Sequence, residues 1–154
     1  MSVKQVLPPI DIEGSEVIGY AIFDPDHVDS DGKITTAAFT TKQLDEGSLS
    51  VCRILYSSIE EIQDKIISPR TSRKPDISFC GVLTTFCQDI CNINNEEITS
   101  FFAKSDPLDG FPSHGLIGFT EKFKLNATKS KKTQARAELM RIFGNIKSLK
   151  EVFP

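Results

Sequence analysis

Val17-Ile18-Gly19-Tyr20-Ala21-Ile22-Phe23 is rich in β-branched and aromatic residues and predicts a strand. The turn-rich acidic loop Asp24 to Gly32 follows it. Lys33 to Thr40 then reads as a second strand, so the two runs predict a hairpin with a long loop. Leu44 to Gly47 predicts a turn, and Leu49, Val51 and Ile54 mark a third strand. A fourth strand is expected over His114 to Lys124, where Leu116, Gly118 and Thr120 alternate with Ile117, Phe119 and Glu121.

Helical signals lie between and after these runs. Ser58 and Glu61 have capping-box spacing, with Ile59, Ile62 and Ile66 on one face and Ser68-Pro69 as the stop. Residues 69–75 are expected as a basic loop carrying Arg70, Arg73 and Lys74. Leu83, Phe86, Cys87 and Ile90 fall at i, i+3, i+4 and i+7, which predicts another helix. Asn94 with Glu97 suggests the cap of a short helix bearing Ile98, Phe101 and Phe102. A Pro/Gly/Asp loop is expected over 104–113. The last helix is expected over about 129–143, with Ala135, Leu139, Ile142 and Phe143 inward and Gly144 as its stop. Together these signals predict an α+β fold, a mainly antiparallel sheet of about four strands packed with three or four helices. The 154 residues fit a single domain, 1–154, with an irregular arm over 1–14.

Composition narrows the function classes. Hydrophobic residues make up 39% and charged residues 25%, an ordinary globular balance with a net charge of -3. No apolar run approaches the roughly 18 residues of a membrane span, and the first residues lack an apolar signal core. The expected location is cytoplasmic, with no membrane contact, and Cys52, Cys80, Cys87 and Cys91 are expected as reduced thiols. Charge is unevenly spread. Residues 1–120 hold nine Lys and Arg against eighteen Asp and Glu, whereas residues 121–154 hold nine against three. The basic stretch 129–154, with Lys131, Lys132 and Arg136, is therefore the candidate partner-binding surface. It suits a protein partner, and nucleic acid is the alternative, although aromatics for base stacking are scarce on it.

Motifs for dense chemistry are missing. With Gly32 at the sixth position of a calcium loop, Ala38 stands where the bidentate acid belongs. Cys87 and Cys91 form one pair at i, i+4, with Cys80 a heptad before Cys87, where structural zinc takes two separated knuckles. No metal or cofactor is expected. The chain has no G-x-S-x-G, P-loop, G-x-G-x-x-G or H-E-x-x-H pattern. His114 is left as the candidate acid/base. Arg53, at the end of a strand, is a candidate to hold an anion.

Gly32-Lys33-Ile34-Thr35-Thr36-Ala37-Ala38-Phe39, Leu49-Ser50-Val51-Cys52-Arg53 and Ser113-His114-Gly115-Leu116-Ile117-Gly118 occur in that order, with Asp76-Ile77-Ser78 between the last two. Together they resemble an uncharacterised family of small bacterial proteins with G-x-V-x-x-x-A-F, L-S-V-x-R, D-V-S and R-H-A-x-I-x-G patterns. The resemblance covers about residues 17–119. Ser113 and Gly115 replace the family's Arg and Ala, and residues 84–103 look like an added helical insert. It implies that Arg53, Asp76 and His114 converge on one site, and by analogy alone it suggests a mobile-element or phage-defence locus. Two functions follow as expectations. One is a non-catalytic accessory protein docking on a partner. The other is a small metal-independent enzyme, a ribonuclease-like or nucleotide-handling toxin, acting on a phosphate-bearing substrate. In the second, His114 is the acid/base, Arg53 holds the anion and Asp76 orients the histidine.

Overall fold

The structure is a computed structural model and describes residues 7–154. In its first half the elements are β1 (Val17–Asp24), α1 (Thr41–Glu46), β2 (Leu49–Arg53), α2 (Ile59–Ile62) and α3 (Ser68–Arg73). Then come β3 (Ser78–Phe86), α4 (Cys87–Cys91), β4 (Asn94–Asn95), β5 (Ile98–Thr99), β6 (Phe101–Ser105) and β7 (His114–Phe119). The chain ends with α5 (Glu121–Asn126), α6 (Lys129–Phe143) and α7 (Leu149–Val152). Five strands form one sheet in the order β3-β1-β2-β7-β6, and every neighbouring pair is antiparallel. A separate β4–β5 ribbon completes the α+β architecture. No helix among the described residues is long and apolar enough to cross a membrane.

Strand alternation makes both faces of the sheet apolar. Ile18, Tyr20 and Ile22 of β1, with Val51 and Ile117, face a core that Ala135, Leu139 and Phe143 of α6 close. Phe39 and Phe143 stack there with ring centres 5.5 Å apart. Each large apolar side chain buried in this layer contributes roughly 1.5–3 kcal/mol. The opposite face presents Cys52, Ala21 and Phe23, and the 59–73 segment covers it with Ile62, Ile66 and Ile67.

The 59–73 segment is longer than its sequence suggests. Ser58 caps it, accepting from the Glu61 N–H, and the backbone stays helical through Pro69 to Arg73. A π turn over Gln63–Ile67 lies just before the proline, which then falls in the first turn of α3. Proline is tolerated there because the π turn shifts the hydrogen-bond ladder just before it, the Ser68 N–H reaching back to the Gln63 carbonyl. The expected basic loop 69–75 is therefore mostly helix.

Other segments also depart from expectation. Lys33 to Thr40 is not a strand; Ile34 bridges only Val28, and Thr35 caps a 3-10 turn over Thr36–Ala38. The expected turn at 44–47 is the end of α1, capped by Thr40 and stopped by Gly47 in the left-handed region. The predicted helix over 83–90 gives way to β3, which pairs with β1 along its length, and only Cys87–Cys91 is helical. Val82, Thr84, Thr85 and Phe86 suit a strand, and pairing with a central strand outweighs the helical spacing. Asn94 caps no helix, because Glu96 and Glu97 adopt positive φ values of 52° and 68° and turn the β4–β5 ribbon. Residues 84–103 are no helical insert, since they supply the end of β3 and the start of the edge strand β6. β7 stops at Phe119, where Thr120 caps α5. Residues 1–6 of the expected arm lie outside the described residues.

Candidate active site

His114 opens β7, and its ring takes up three polar contacts. Directly opposite it in register is Cys52, so the ring shares the Cys52 face of the sheet with Ser50, one alternation earlier on β2. His114 Nε2 lies 3.1 Å from Ser50 Oγ. Its Nδ1 lies 2.8 Å from the Asp106 carbonyl oxygen and 3.1 Å from the Asp106 carboxylate. The β6–β7 loop makes this possible. Leu108 and Phe111 pair backbone to backbone, Gly110 takes φ 72°, and the Asp106 N–H donates to the His114 carbonyl. Phe111 then packs edge-on to the imidazole at 5.3 Å.

These contacts decide the tautomer. Both Nδ1 partners are oxygen acceptors, so Nδ1 carries the proton and donates. In the neutral ring Nε2 is then an acceptor, placed to take a hydrogen bond from the Ser50 hydroxyl. Ser50, His114 and Asp106 thus form a relay of hydroxyl, imidazole and carboxylate. Ser50 is exposed, whereas His114 is 6% exposed. A nucleophilic hydroxyl with an oriented base has this geometry.

The relay opens into a cleft of about 290 Å³ between the sheet and the 59–73 segment. Ser50 and His114 line its sheet side, and Lys65, Arg70 and Arg73 line its helical wall. Gln43 also reaches the cleft. Its Oε1 accepts from the Thr40 hydroxyl at 2.9 Å, and its amide nitrogen has no partner among the described residues.

Arg53 and Asp76 are not part of this site. Arg53 follows Cys52, so alternation turns it to the opposite face from His114. It is fully buried, with Nε 2.5 Å and Nη2 2.8 Å from the two Glu16 carboxylate oxygens. It also donates to the Pro9 carbonyl at 2.5 Å and to Ser105 Oγ at 3.2 Å, and lies 4.9 Å from the centre of the Tyr56 ring. This is a clamp fastening the 9–16 arm to the sheet. Asp76 is exposed in the turn before the edge strand β3, and β1 and β2 stand between β3 and β7. Three strand spacings amount to about 14 Å, too far for Asp76 to orient His114. Asp106 does so instead.

Lys131, Lys132 and Arg136 do not form a free basic surface either. Lys131 pairs with Glu96 at 3.1 Å and Lys132 with Asp45 at 2.9 Å. Arg136 donates to the carbonyls of Phe39 at 2.5 Å and Thr36 at 2.8 Å. These three cations thus tie α6 to the β4–β5 turn, α1 and the 36–39 turn. Cys80 lies exposed on β3 and shares no helix with Cys87 and Cys91; all four cysteines are free. Among the described residues no group of three or more His, Cys, Asp or Glu side chains is placed to hold a metal ion.

Of the three candidates named from sequence, His114 alone lines this cleft, and its contacts Ser50 and Asp106 were not among them. Ser50 stood inside the L-S-V-x-R pattern, where alternation already separates it from Arg53. Asp106 stood at the start of the loop leading into the histidine strand. No family model, curated protein or solved structure matches the chain.

Proposed function

We propose that the chain is an ester hydrolase in which Ser50 is the nucleophile, His114 the general base and Asp106 the group that orients the imidazole and stabilises the imidazolium formed when Ser50 gives up its proton. The observation carrying this reading is the pair of 3.1 Å contacts, Ser50 Oγ to His114 Nε2 and His114 Nδ1 to the Asp106 carboxylate, at the mouth of a cleft. As Ser50 Oγ bonds to the electrophilic centre of the ester, its proton passes to His114 Nε2. The imidazolium then faces the Asp106 carboxylate and carbonyl oxygens. His114 returns the proton to the departing alcohol, and a water molecule repeats the sequence to release the acid and restore Ser50. The free amide of Gln43 is the candidate donor for charge developing on the ester oxygen.

Hydrolysis of p-nitrophenyl carboxylate and phosphate esters tests the reading. His114→Gln and Asp106→Asn should each slow turnover, the histidine change by about 10²–10⁴-fold, as expected for loss of a general base. Turnover of His114→Gln at the unaltered rate, or inertness of the unaltered chain toward both ester classes, refutes it. A docking role through α6 has less support, because Lys131, Lys132 and Arg136 are engaged within the chain.

A further inference from the structure

The wall facing Ser50 and His114 carries positive charge against the balance of the chain. The whole protein is net -3 and residues 1–120 have an excess of acids, yet Lys65, Arg70 and Arg73 line one side of a single cleft. Ion pairing neutralises little of this. Arg70 and Lys74 share Asp26, at 3.2 Å and 3.5 Å. Lys65 and Arg73 form no salt bridge among the described residues, where the one side-chain hydrogen bond of Arg73 goes to the Pro69 carbonyl of its own helix.

Arg70 is held in place, and Lys65 lies close to the β6–β7 loop. The Phe23 ring lies 4.6 Å beneath the Arg70 guanidinium, and only Nη2 has a protein partner, leaving Nε and Nη1 unbonded among the described residues. A planar guanidinium seated on a ring with free N–H groups is suited to paired oxygens. A methyl group at Gly110 would come within 2.8 Å of Lys65 Nζ, so the ammonium rests against the loop that carries Asp106. Leu108 and Phe111 add apolar lining. Such a cleft fits a group with several charged oxygens better than a single carboxylate.

We infer that Lys65, Arg70 and Arg73 form a phosphate subsite, and that the substrate of the Ser50–His114 centre carries a phosphate group. The subsite's role in substrate recognition rests on the hydrolase reading; the binding of phosphate does not. The proposal is tested by titrating the full chain with inorganic phosphate at moderate salt, read by calorimetry and by ³¹P NMR. The unaltered protein should bind one equivalent saturably. Lys65→Glu/Arg73→Glu, which changes two exposed side chains, should weaken binding at least tenfold while leaving the far-ultraviolet circular dichroism unchanged. Arg70→Lys, which keeps the charge but loses the fork, should weaken it less. Absence of saturable binding, or equal affinity in the double variant, overturns the subsite. Ester hydrolysis measured on the same samples separates the two claims: turnover without phosphate binding removes the subsite alone, and phosphate binding without turnover removes the hydrolase reading, and with it the substrate assignment, while the subsite stands.

Discussion

Arg53→Met should be among the most damaging single changes in this protein. The substitution approximately keeps side-chain length and removes the charge. It leaves the Glu16 carboxylate, 9% exposed, without its two guanidinium donors, and it leaves the Pro9 carbonyl without its 2.5 Å bond. Removing one partner of a buried pair costs roughly 3–5 kcal/mol, because the remaining charge is stranded. At roughly 2–4 °C per kcal/mol for a chain of this size, the melting temperature should fall on the order of 10 °C. The double variant Glu16→Gln/Arg53→Met removes the stranded charge and should be more stable than Arg53→Met alone. Urea unfolding followed by circular dichroism, on both single variants and the double, gives the coupling directly. If Arg53→Met costs less than about 1 kcal/mol, or if the two changes are additive, the clamp reasoning fails. Arg53 would then be available for another role.

Reversing Lys131, Lys132 and Arg136 to Glu should lower stability by several kcal/mol in a thermal melt, because each loses an intramolecular partner and Arg136 loses two carbonyl contacts; an unchanged melting temperature would show α6 to be held by its apolar face alone. His27 gives a pH signature. Burial first and Arg70 second push its pKa from 6.5 down to about 4, and Nδ1 accepts from the Phe23 N–H at 3.0 Å, so the folded state keeps it neutral. Between those values the unfolded chain binds a proton that the folded chain does not, so stability should fall as pH drops from about 6.5 toward 4, and His27→Gln should flatten that slope in pH-dependent urea titrations. Gly118→Ala should cost roughly 1–3 kcal/mol, since the added methyl would press on Gly47 Cα and the Phe102 ring; a neutral result in the same unfolding assay would mean that the α1–β7 contact can open freely.

Strands and helices were legible where local pattern and long-range pairing agree. β1, β2 and α6 are of this kind, with dense β-branched content in the strands and a clear apolar stripe with a glycine stop in the helix. Where the two disagree, pairing prevails. Leu83, Phe86, Cys87 and Ile90 have helical spacing, yet a nine-residue strand along β1 satisfies more backbone groups than a short helix there would. Pro69 reads as a helix stop, but the π turn before it lets the helix run on and carry Arg70 and Arg73 into the cleft. The proposed site is half visible in the sequence for the same reason. His114 is one of only two histidines and stood out by type. Ser50 and Asp106 are common residue types whose meaning depends on strand register and on how the 106–113 loop folds back. Arg53 was visible, but one step of strand alternation sends it to the other face.

Covalent trapping at Ser50 tests the central claim most directly. An organophosphorus ester that phosphorylates an activated serine should add one equivalent to the unaltered protein, as read by intact mass, and peptide mapping should place it on Ser50. Ser50→Ala should take up none, and His114→Gln should react far more slowly while keeping the fold seen by circular dichroism. An adduct on Ser50 that forms equally fast in His114→Gln, or no adduct on Ser50 in the unaltered protein, would contradict the account.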